Sequence, residues 1–178
     1  MNKRILLLIV VVVFSTKLLS AQDRPAPKYL TIQEFPDSVN NTVLKSMNGK
    51  STSLSDVLDS YIGKKVLVDF WASWCKDCLV SLPGYNKLRK KTESSDVAYL
   101  LLSVDKEDEK WKGAISRFNI LGDHYRFDRG WKNPFSNYVD LDWIPRYIVL
   151  DEEGKIIEPK SIHIDDSSLF EILTDTRK

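Results

Sequence analysis

An apolar segment that runs directly into the only two cysteines of the chain is the feature that most constrains its fold. Residues 66–74 carry a single charged side chain, Asp69, and the segment 75–78 reads Cys-Lys-Asp-Cys. A nearly continuous apolar run is typical of a strand that is buried on both faces. The pattern therefore predicts a dithiol where a central strand gives way to a helix, and it makes thiol–disulfide exchange the leading hypothesis.

The spacing of the two cysteines suits a disulfide that forms and breaks. Side chains three apart on a helix have Cβ atoms about 5–6 Å apart, and a disulfide needs about 3.5–4.5 Å, so a slight opening of the first turn is enough. Helix N-terminal N–H groups stabilise a thiolate. We therefore expect Cys75 to be the attacking, more exposed thiol and Cys78 the resolving thiol. The opposite charges of Lys76 and Asp77 roughly cancel in their effect on the thiolate.

Two other uses of a cysteine pair fit the sequence less well. A structural disulfide around a two-residue loop would stabilise little, because the stabilisation grows with loop length. Structural zinc takes four Cys or His ligands, and His124 and His163 are distant in sequence and do not form a second pair. We predict no metal and no bound cofactor, and we expect both histidines to be structural or surface residues.

Asp69 interrupts the apolar strand six positions before Cys75. Burial of a carboxylate is costly and raises its pKa. Perturbed acids tend to mark functional sites, so we predict that Asp69 accepts or delivers a proton for Cys78, through water if needed. The alternative is an acid at a strand end that faces solvent or pairs with a lysine.

Pro145 stands immediately before a predicted strand, Arg146 to Leu150. Proline at that place removes a backbone donor and requires a reason. A cis Ile144–Pro145 bond would make a tight turn against Cys75, and the Ile144 backbone would pair with an extended substrate. Only about 5–6% of X–Pro bonds are cis, so this inference depends on the family resemblance described below.

The N-terminus has the pattern of a secretory signal peptide. Lys3 and Arg4 precede an apolar run over residues 5–14, and a small residue, Ala21, stands near its exit, after which we expect cleavage. The alternative is an anchor formed by residues 5–19, which is shorter than the roughly 20 residues that span a bilayer. Cleavage would place the protein in the periplasm or otherwise outside the cytoplasm, in an oxidising compartment.

The rest of the chain is predicted to be a proline-containing lead-in (22–40) and a single domain (41–178). A formal net charge of +1 gives no indication of a nucleic-acid partner. Alternating strands and helices, followed by a hairpin and a last helix, predict an α/β sandwich around a mixed sheet. A strand that ends in an Asn-Gly turn is predicted at 43–50, and further strands are predicted at 65–71, 97–104, 124–127, 146–150 and 155–157. Helices are predicted after caps at Ser55 and at Ser167-Ser168, and over 76–91, 108–119 and 134–139.

The motifs of the chain resemble those of the thioredoxin superfamily, specifically the exported TlpA/ResA-like thiol–disulfide oxidoreductases. The resemblance implies a thioredoxin-like sandwich with an N-terminal extension. It also implies that Cys75 is the nucleophile, Cys78 the resolver, Pro145 the cis-proline and Asp69 the buried acid. The matching stretches are Asn48-Gly49-Lys50, Ser53-Leu54-Ser55-Asp56, Val68 to Cys78, Pro83, Ile144-Pro145-Arg146 and Asp151 to Ile156.

The substrate-binding surface is expected close to the dithiol. Its predicted members are Trp74, Lys76, Asp77, Trp143, Ile144 and Pro145. The expected substrates are protein thiols and disulfides, with apocytochrome c among the candidates. A membrane thiol reductase is the expected electron donor, and the chain is expected to be a monomer. A reductant is favoured, because oxidising relatives usually carry a large helical insertion that this sequence lacks.

Three departures from the family pattern affect the site. Many relatives have proline between the two cysteines, where this chain has Lys76-Asp77. ResA-like members often place glutamate three residues after the second cysteine, where this chain has Ser81. Glycine is common at the position of Trp143. We therefore expect Asp69 to be the only acid at the site, and Trp143 to alter the substrate groove, with Trp131 also on its rim.

Two other functions remain open on the sequence alone. Peroxide-reducing enzymes share the fold, but their reactive cysteine usually follows a nearby Thr and Pro, which Trp74-Cys75 lacks. A non-catalytic module would use the fold as a peptide-holding surface, and the intact cysteine pair argues against it.

Overall fold

The computed structural model describes residues 32–175, so the predicted signal peptide and most of the lead-in lie outside the described residues. This part of the chain forms seven strands and six helices. The strands are β1 Val43–Ser46, β2 Ser51–Ser53, β3 Lys65–Trp71, β4 Val97–Ser103, β5 Asp123–Phe127, β6 Arg146–Leu150 and β7 Ile156–Ser161. The helices are α1 Asp37–Asn40, α2 Leu54–Asp59, α3 Lys76–Lys91, α4 Asp108–Phe118, α5 Pro134–Tyr138 and α6 Ser167–Thr174.

All seven strands belong to one mixed sheet in the order β2-β1-β5-β4-β3-β6-β7. The pairs β3–β4 and β4–β5 are parallel, and the remaining pairs are antiparallel. Strand β3 lies between β4 and β6 and is buried from Val66 to Trp71, as the apolar run predicts. The predicted fold class, a thioredoxin-like sandwich around a mixed sheet, is confirmed.

Alternation along β3 sends its side chains to two different layers. Phe70 packs against Phe127 and Phe135, with ring centroids 6.1 and 5.0 Å away. Asp69 points to the opposite face, as does Tyr147, its cross-strand partner on β6. Because the Tyr147 hydroxyl bonds to a side chain of α3, this second face is the one that α3 covers.

Helix α3 begins and ends where the sequence predicts, at Lys76 and Lys91. Cys75 is its N-cap, and Arg89 lies with two lysines in the last turn, where positive charge is favourable. The helix continues through Pro83. Among residues 32–175, no helix is both long and apolar enough to cross a membrane.

The strand predicted to end in an Asn-Gly turn within 43–50 is confirmed as β1 and the turn that follows it, and this turn leads into β2, which was not predicted. Two other local predictions were wrong. Helix α2 is capped by Ser53 rather than Ser55, because Ser53 forms a reciprocal capping box with Asp56. Helix α6 is capped by Asp166, whose side chain accepts a hydrogen bond from the backbone N–H of Ser168.

Gly122 lies immediately before β5 and provides a test of how this turn packs against β4. Its φ is +135°, and an added Cβ would collide with the Leu101 side chain and lie 2.9 Å from the backbone oxygen of Tyr99. We expect Gly122→Ala to lower the free energy of unfolding by about 2–4 kcal/mol, since strain and overpacking act together. Urea unfolding measures this loss.

Gly49→Ala is the matched control, because Gly49 has a φ of +81° but no atom within 4 Å of the added Cβ. It should cost only about 1 kcal/mol, from backbone strain alone. Equal losses in the two variants would contradict the predicted collision at Gly122.

Candidate active site

Cys75 and Cys78 form a disulfide at the start of α3, with their Cα atoms 5.3 Å apart. Cys75 occupies the N-cap position, and the backbone N–H of Cys78 donates to its Sγ at 3.0 Å. The same N–H is available to a thiolate when the disulfide is reduced. The helix N-terminus therefore favours the charged form of Cys75, as the sequence predicts.

The loop between β3 and α3 is held by Asp105, a residue that the sequence analysis missed. Asp105 is buried two residues after the end of β4, and its carboxyl accepts hydrogen bonds from the backbone N–H of Ser73 at 2.8 Å and from the Ser73 hydroxyl at 2.6 Å. Ser103 donates a further bond at 2.7 Å. These bonds fix the loop that delivers Cys75 to the helix. The sequence signal that could have identified Asp105 is an acidic residue just past a buried strand that ends beside β3.

A second loop closes on the disulfide from the other side. The Ile144–Pro145 bond is cis, and the carbonyl oxygen of Ile144 lies 3.6 Å from Cys75 Sγ. Arg146 is completely buried and pairs with Asp142, which also pairs with Lys160. This ionic cluster holds the two ends of the loop together, so it positions Ile144 against Cys75.

The disulfide borders a groove of about 390 Å³, here called the first groove. Exposed Trp74 (62%) and Trp143 (61%) form apolar walls, and Trp131 lies with its ring centroid 6.5 Å from that of Trp74. Five of the six predicted substrate-binding residues line this groove, and the sixth, Pro145, does not. Its lining residues are Trp74, Cys75, Lys76, Asp77, Trp131, Asp142, Trp143 and Ile144.

A second groove, of about 430 Å³, lies between α3 and residues 162–165. Trp143 and Asp77 line both grooves, so Trp143 forms a partition between them. Pro145 and Ser81 lie on the second side only. His163, which the sequence predicts to be a structural or surface residue, is exposed and also lines this groove.

The two cysteines differ less in exposure than the sequence analysis expects. Cys75 is 6% exposed and Cys78 is 4% exposed, so neither is freely accessible in the oxidised form. What distinguishes them is position, because Cys75 lines the first groove and Cys78 does not. The assignment of Cys75 as the attacking residue stays a prediction.

Asp69 is buried in the middle of the sheet, with 6% of its surface exposed. Its Oδ1 has no hydrogen-bond partner among the described residues, and burial raises the pKa of its carboxyl to about 8. The alternative of a solvent-facing acid is therefore wrong. A protonated, buried carboxyl at neutral pH can accept a proton once it has ionised, which is the chemistry that its predicted role requires.

His124 is a buried structural residue. Its ring lies 6.3 Å from that of Trp71, and its Nε2 is 2.8 Å from the carbonyl oxygen of Ile120. Burial lowers the pKa of its imidazole. Within residues 32–175 no group of three or more potential ligands comes together that would hold a metal ion.

A disulfide at a helix N-terminus, beside a cis-proline on a mixed sheet, defines a thioredoxin-fold protein with a dithiol site. Residues 63–156 match the model of the thioredoxin-like family. That match spans more than half of the chain, and the chain therefore belongs to the thioredoxin-like family.

Relatives of this chain are thiol–disulfide oxidoreductases. The thiol-disulfide oxidoreductase ResA of Bacillus thuringiensis is 28% identical over 118 residues, which are 66% of this chain and 64% of that protein. The thioredoxin-like protein YneN of Bacillus subtilis is 30% identical over 123 residues, 68% of this chain and 66% of its own length. The chain thus spans slightly less than two thirds of the ResA relative. The predicted resemblance is confirmed.

A solved structure gives the same result. A protein from Bacteroides vulgatus, described as a thiol-disulfide oxidoreductase, is 28% identical and superposes with a TM-score of 0.64. The superposition covers 79% of this chain and 88% of that protein.

The pKa of Asp69 predicts an unusual dependence of stability on pH. The unfolded carboxyl ionises near its ordinary pKa of 3.8, whereas burial raises the folded-state pKa to about 8. Between these values the folded state keeps a proton that the unfolded state has lost, so wild-type stability falls by up to about 1.4 kcal/mol per pH unit as pH rises. Asp69→Asn lacks this loss, and its advantage in the free energy of unfolding should grow across that range.

Urea unfolding of the oxidised proteins at several pH values measures this difference. Asp77→Asn is the control, because Asp77 is exposed, and we expect it to track the wild type within about 0.5 kcal/mol at every pH. A constant difference between Asp69→Asn and the wild type would contradict a raised pKa.

Proposed function

We propose that this protein is an exported thiol–disulfide oxidoreductase that reduces disulfides of other proteins through Cys75 and Cys78. The observation that carries the proposal is the bonded cysteine pair at the N-terminus of α3, with Cys75 on the wall of an apolar groove. The names of the relatives support the same activity. Export is supported by the signal-like pattern of the first 21 residues.

The reaction begins with the reduced site. The Cys75 thiolate attacks one sulfur of a substrate disulfide, which breaks that bond, forms a mixed disulfide and releases one substrate thiolate. Asp69 first releases its own proton, and the carboxylate then accepts the proton of the Cys78 thiol. The Cys78 thiolate attacks Cys75 Sγ. The Cys75–Cys78 disulfide forms and the second substrate thiolate leaves and takes up a proton. Two electrons have passed from the dithiol to the substrate.

The first groove suits an extended polypeptide. Trp74 and Trp143 offer exposed apolar faces in the groove that Cys75 also lines, and aromatic walls of this kind bind peptide at low entropic cost. The backbone of Ile144, before cis-Pro145, pairs with the substrate by β-addition. Lys76 and Asp77, both exposed, meet the charged groups of the substrate.

Direction and partners follow from the same proposal. The described chain between β4 and β6 carries only the short helices α4 and α5, so it lacks the large helical insertion of oxidising relatives. The protein therefore acts as a reductant. Its substrates are exported cysteine proteins, with apocytochrome c among them, and a membrane thiol reductase returns its electrons.

Reduction of insulin disulfides by dithiothreitol tests the activity. The wild type should accelerate the reduction, and Cys75→Ser should fall to the uncatalysed rate because it lacks the attacking sulfur. Cys78→Ser should keep the attack but not the resolution, so it should accumulate as a stable mixed disulfide with a disulfide-containing peptide, detected by intact mass.

The Cys75→Ser/Cys78→Ser double variant is the control for adventitious coupling. A wild-type rate no faster than that of Cys75→Ser would overturn the proposal. Consumption of hydrogen peroxide by the wild type, without insulin reduction, would instead assign it to the peroxide-reducing class.

A further inference from the structure

Two hydroxyl groups connect the Asp69 side of the sheet with the second groove. Ser81 lies one helical turn after Cys78, and its Oγ donates to the carbonyl oxygen of Cys78 at 2.7 Å. The Tyr147 hydroxyl donates to Ser81 Oγ at 3.2 Å. Ser81 also lines the second groove, whereas Tyr147 is completely buried. The pair therefore runs from the interior to a surface that water reaches.

The buried end of this pair lies beside Asp69. Tyr147 and Asp69 are register partners on adjacent strands, so their side chains share one face with Cβ atoms about 4.5–5.5 Å apart. Burial and the nearby Asp69 carboxylate raise the pKa of the Tyr147 hydroxyl. The same two causes raise the pKa of Tyr85 on α3. Apart from Cys78, these two tyrosines are the titratable groups of β6 and α3 whose pKa the Asp69 carboxylate affects.

A carboxyl that takes a proton in each catalytic cycle must also release it. Asp69 is too deeply buried to exchange protons directly with bulk water, and its Oδ1 has no partner among the described residues. Of the two tyrosines, Tyr85 donates its hydroxyl to the carbonyl oxygen of Leu121, at 2.5 Å, and so does not reach the second groove through that bond. Only Tyr147 has a hydrogen-bonded neighbour that lines the groove.

We propose that Ser81 and Tyr147 are positioning residues of the exchange reaction, whose hydroxyls carry the proton between Asp69 and water in the second groove. The inference rests on the proposed function. Asp69 passes its proton to Tyr147 through a bridging water at Oδ1, while Tyr147 passes its own hydroxyl proton to Ser81. The Ser81 hydroxyl turns from the Cys78 carbonyl oxygen towards the second groove and passes its proton to water there. Both hydroxyls end neutral and Asp69 ends ionised, so one proton has moved and no other group has changed.

The test separates attack from resolution. Reduced protein is mixed with excess of an aromatic disulfide whose thiol product absorbs visible light. The first equivalent of product reports attack by Cys75, and the second reports resolution by Cys78. Asp69 holds a proton at neutral pH, so it must release that proton along the path before it can accept the proton of Cys78. Ser81→Ala and Tyr147→Phe should therefore leave the first phase unchanged and slow the second about 10-fold at neutral pH, a part of the full effect of general acid–base catalysis.

Tyr85→Phe is the matched control. It removes an equally buried hydroxyl from the same side of the sheet, and it should change the second phase less than twofold. Each variant is also made in an Asp69→Asn background. There the hydroxyl substitutions should have no further effect on the second phase, because the path they serve has lost its proton acceptor. A merely structural role would slow resolution equally in both backgrounds.

The outcomes distinguish the two proposals. An unchanged second phase in Tyr147→Phe, equal slowing in Tyr85→Phe, or slowing that persists with Asp69→Asn would overturn the proton path and leave the oxidoreductase function intact. A wild-type protein that releases no product, or only one equivalent, would overturn the function and the path together.

Discussion

One backbone hydrogen bond, from the N–H of Cys78 to Cys75 Sγ, organises the site. A helix leaves its first N–H groups without partners, and side-chain oxygens usually satisfy them. Here a sulfur takes that place, so the capping group of α3 and the proposed nucleophile are one atom. The arrangement requires an extended Cys75 backbone, and the bonds from Ser73 to buried Asp105 hold the loop that provides it. The same few contacts therefore stabilise this part of the fold and position the reactive sulfur.

Asp69 places a titratable group where the fold would otherwise have an apolar side chain. Burial raises its pKa to about 8, close to the ordinary thiol value of about 8.5. The raised pKa makes the Asp69 carboxylate a stronger base than an exposed aspartate, which is the direction that proton transfer from a thiol requires. Burial of an ionisable group in the sheet lowers the stability of the folded state and is the physical cause of this raised pKa.

Local sequence signals predicted the strands and the helix that build the site, but they did not predict its long-range contacts. The bounds of β3, α3 and β6 could be predicted because a continuous apolar run or a basic helix end marks each of them. Strand β2 could not, since Ser51 to Ser53 have no apolar alternation and form a strand only by pairing with β1. Asp105 bonds to Ser73 across 32 residues of sequence, and Tyr147 bonds to Ser81 across 66. Hydrophobic periodicity carries no information about contacts between residues so far apart in sequence. The cis-proline was predictable only through the family resemblance.

In the proposed mechanism, the two grooves that meet at Trp143 have different tasks. Cys75 opens on the first groove, and the hydroxyl of Ser81 belongs to the second. A polypeptide that lies over Cys75 covers the first groove while its disulfide is exchanged, and it would block any proton path that ended there. A path that ends behind Trp143 stays in contact with water throughout the reaction. Because electrons and protons then leave on different sides of one side chain, substrate binding and proton release need not compete.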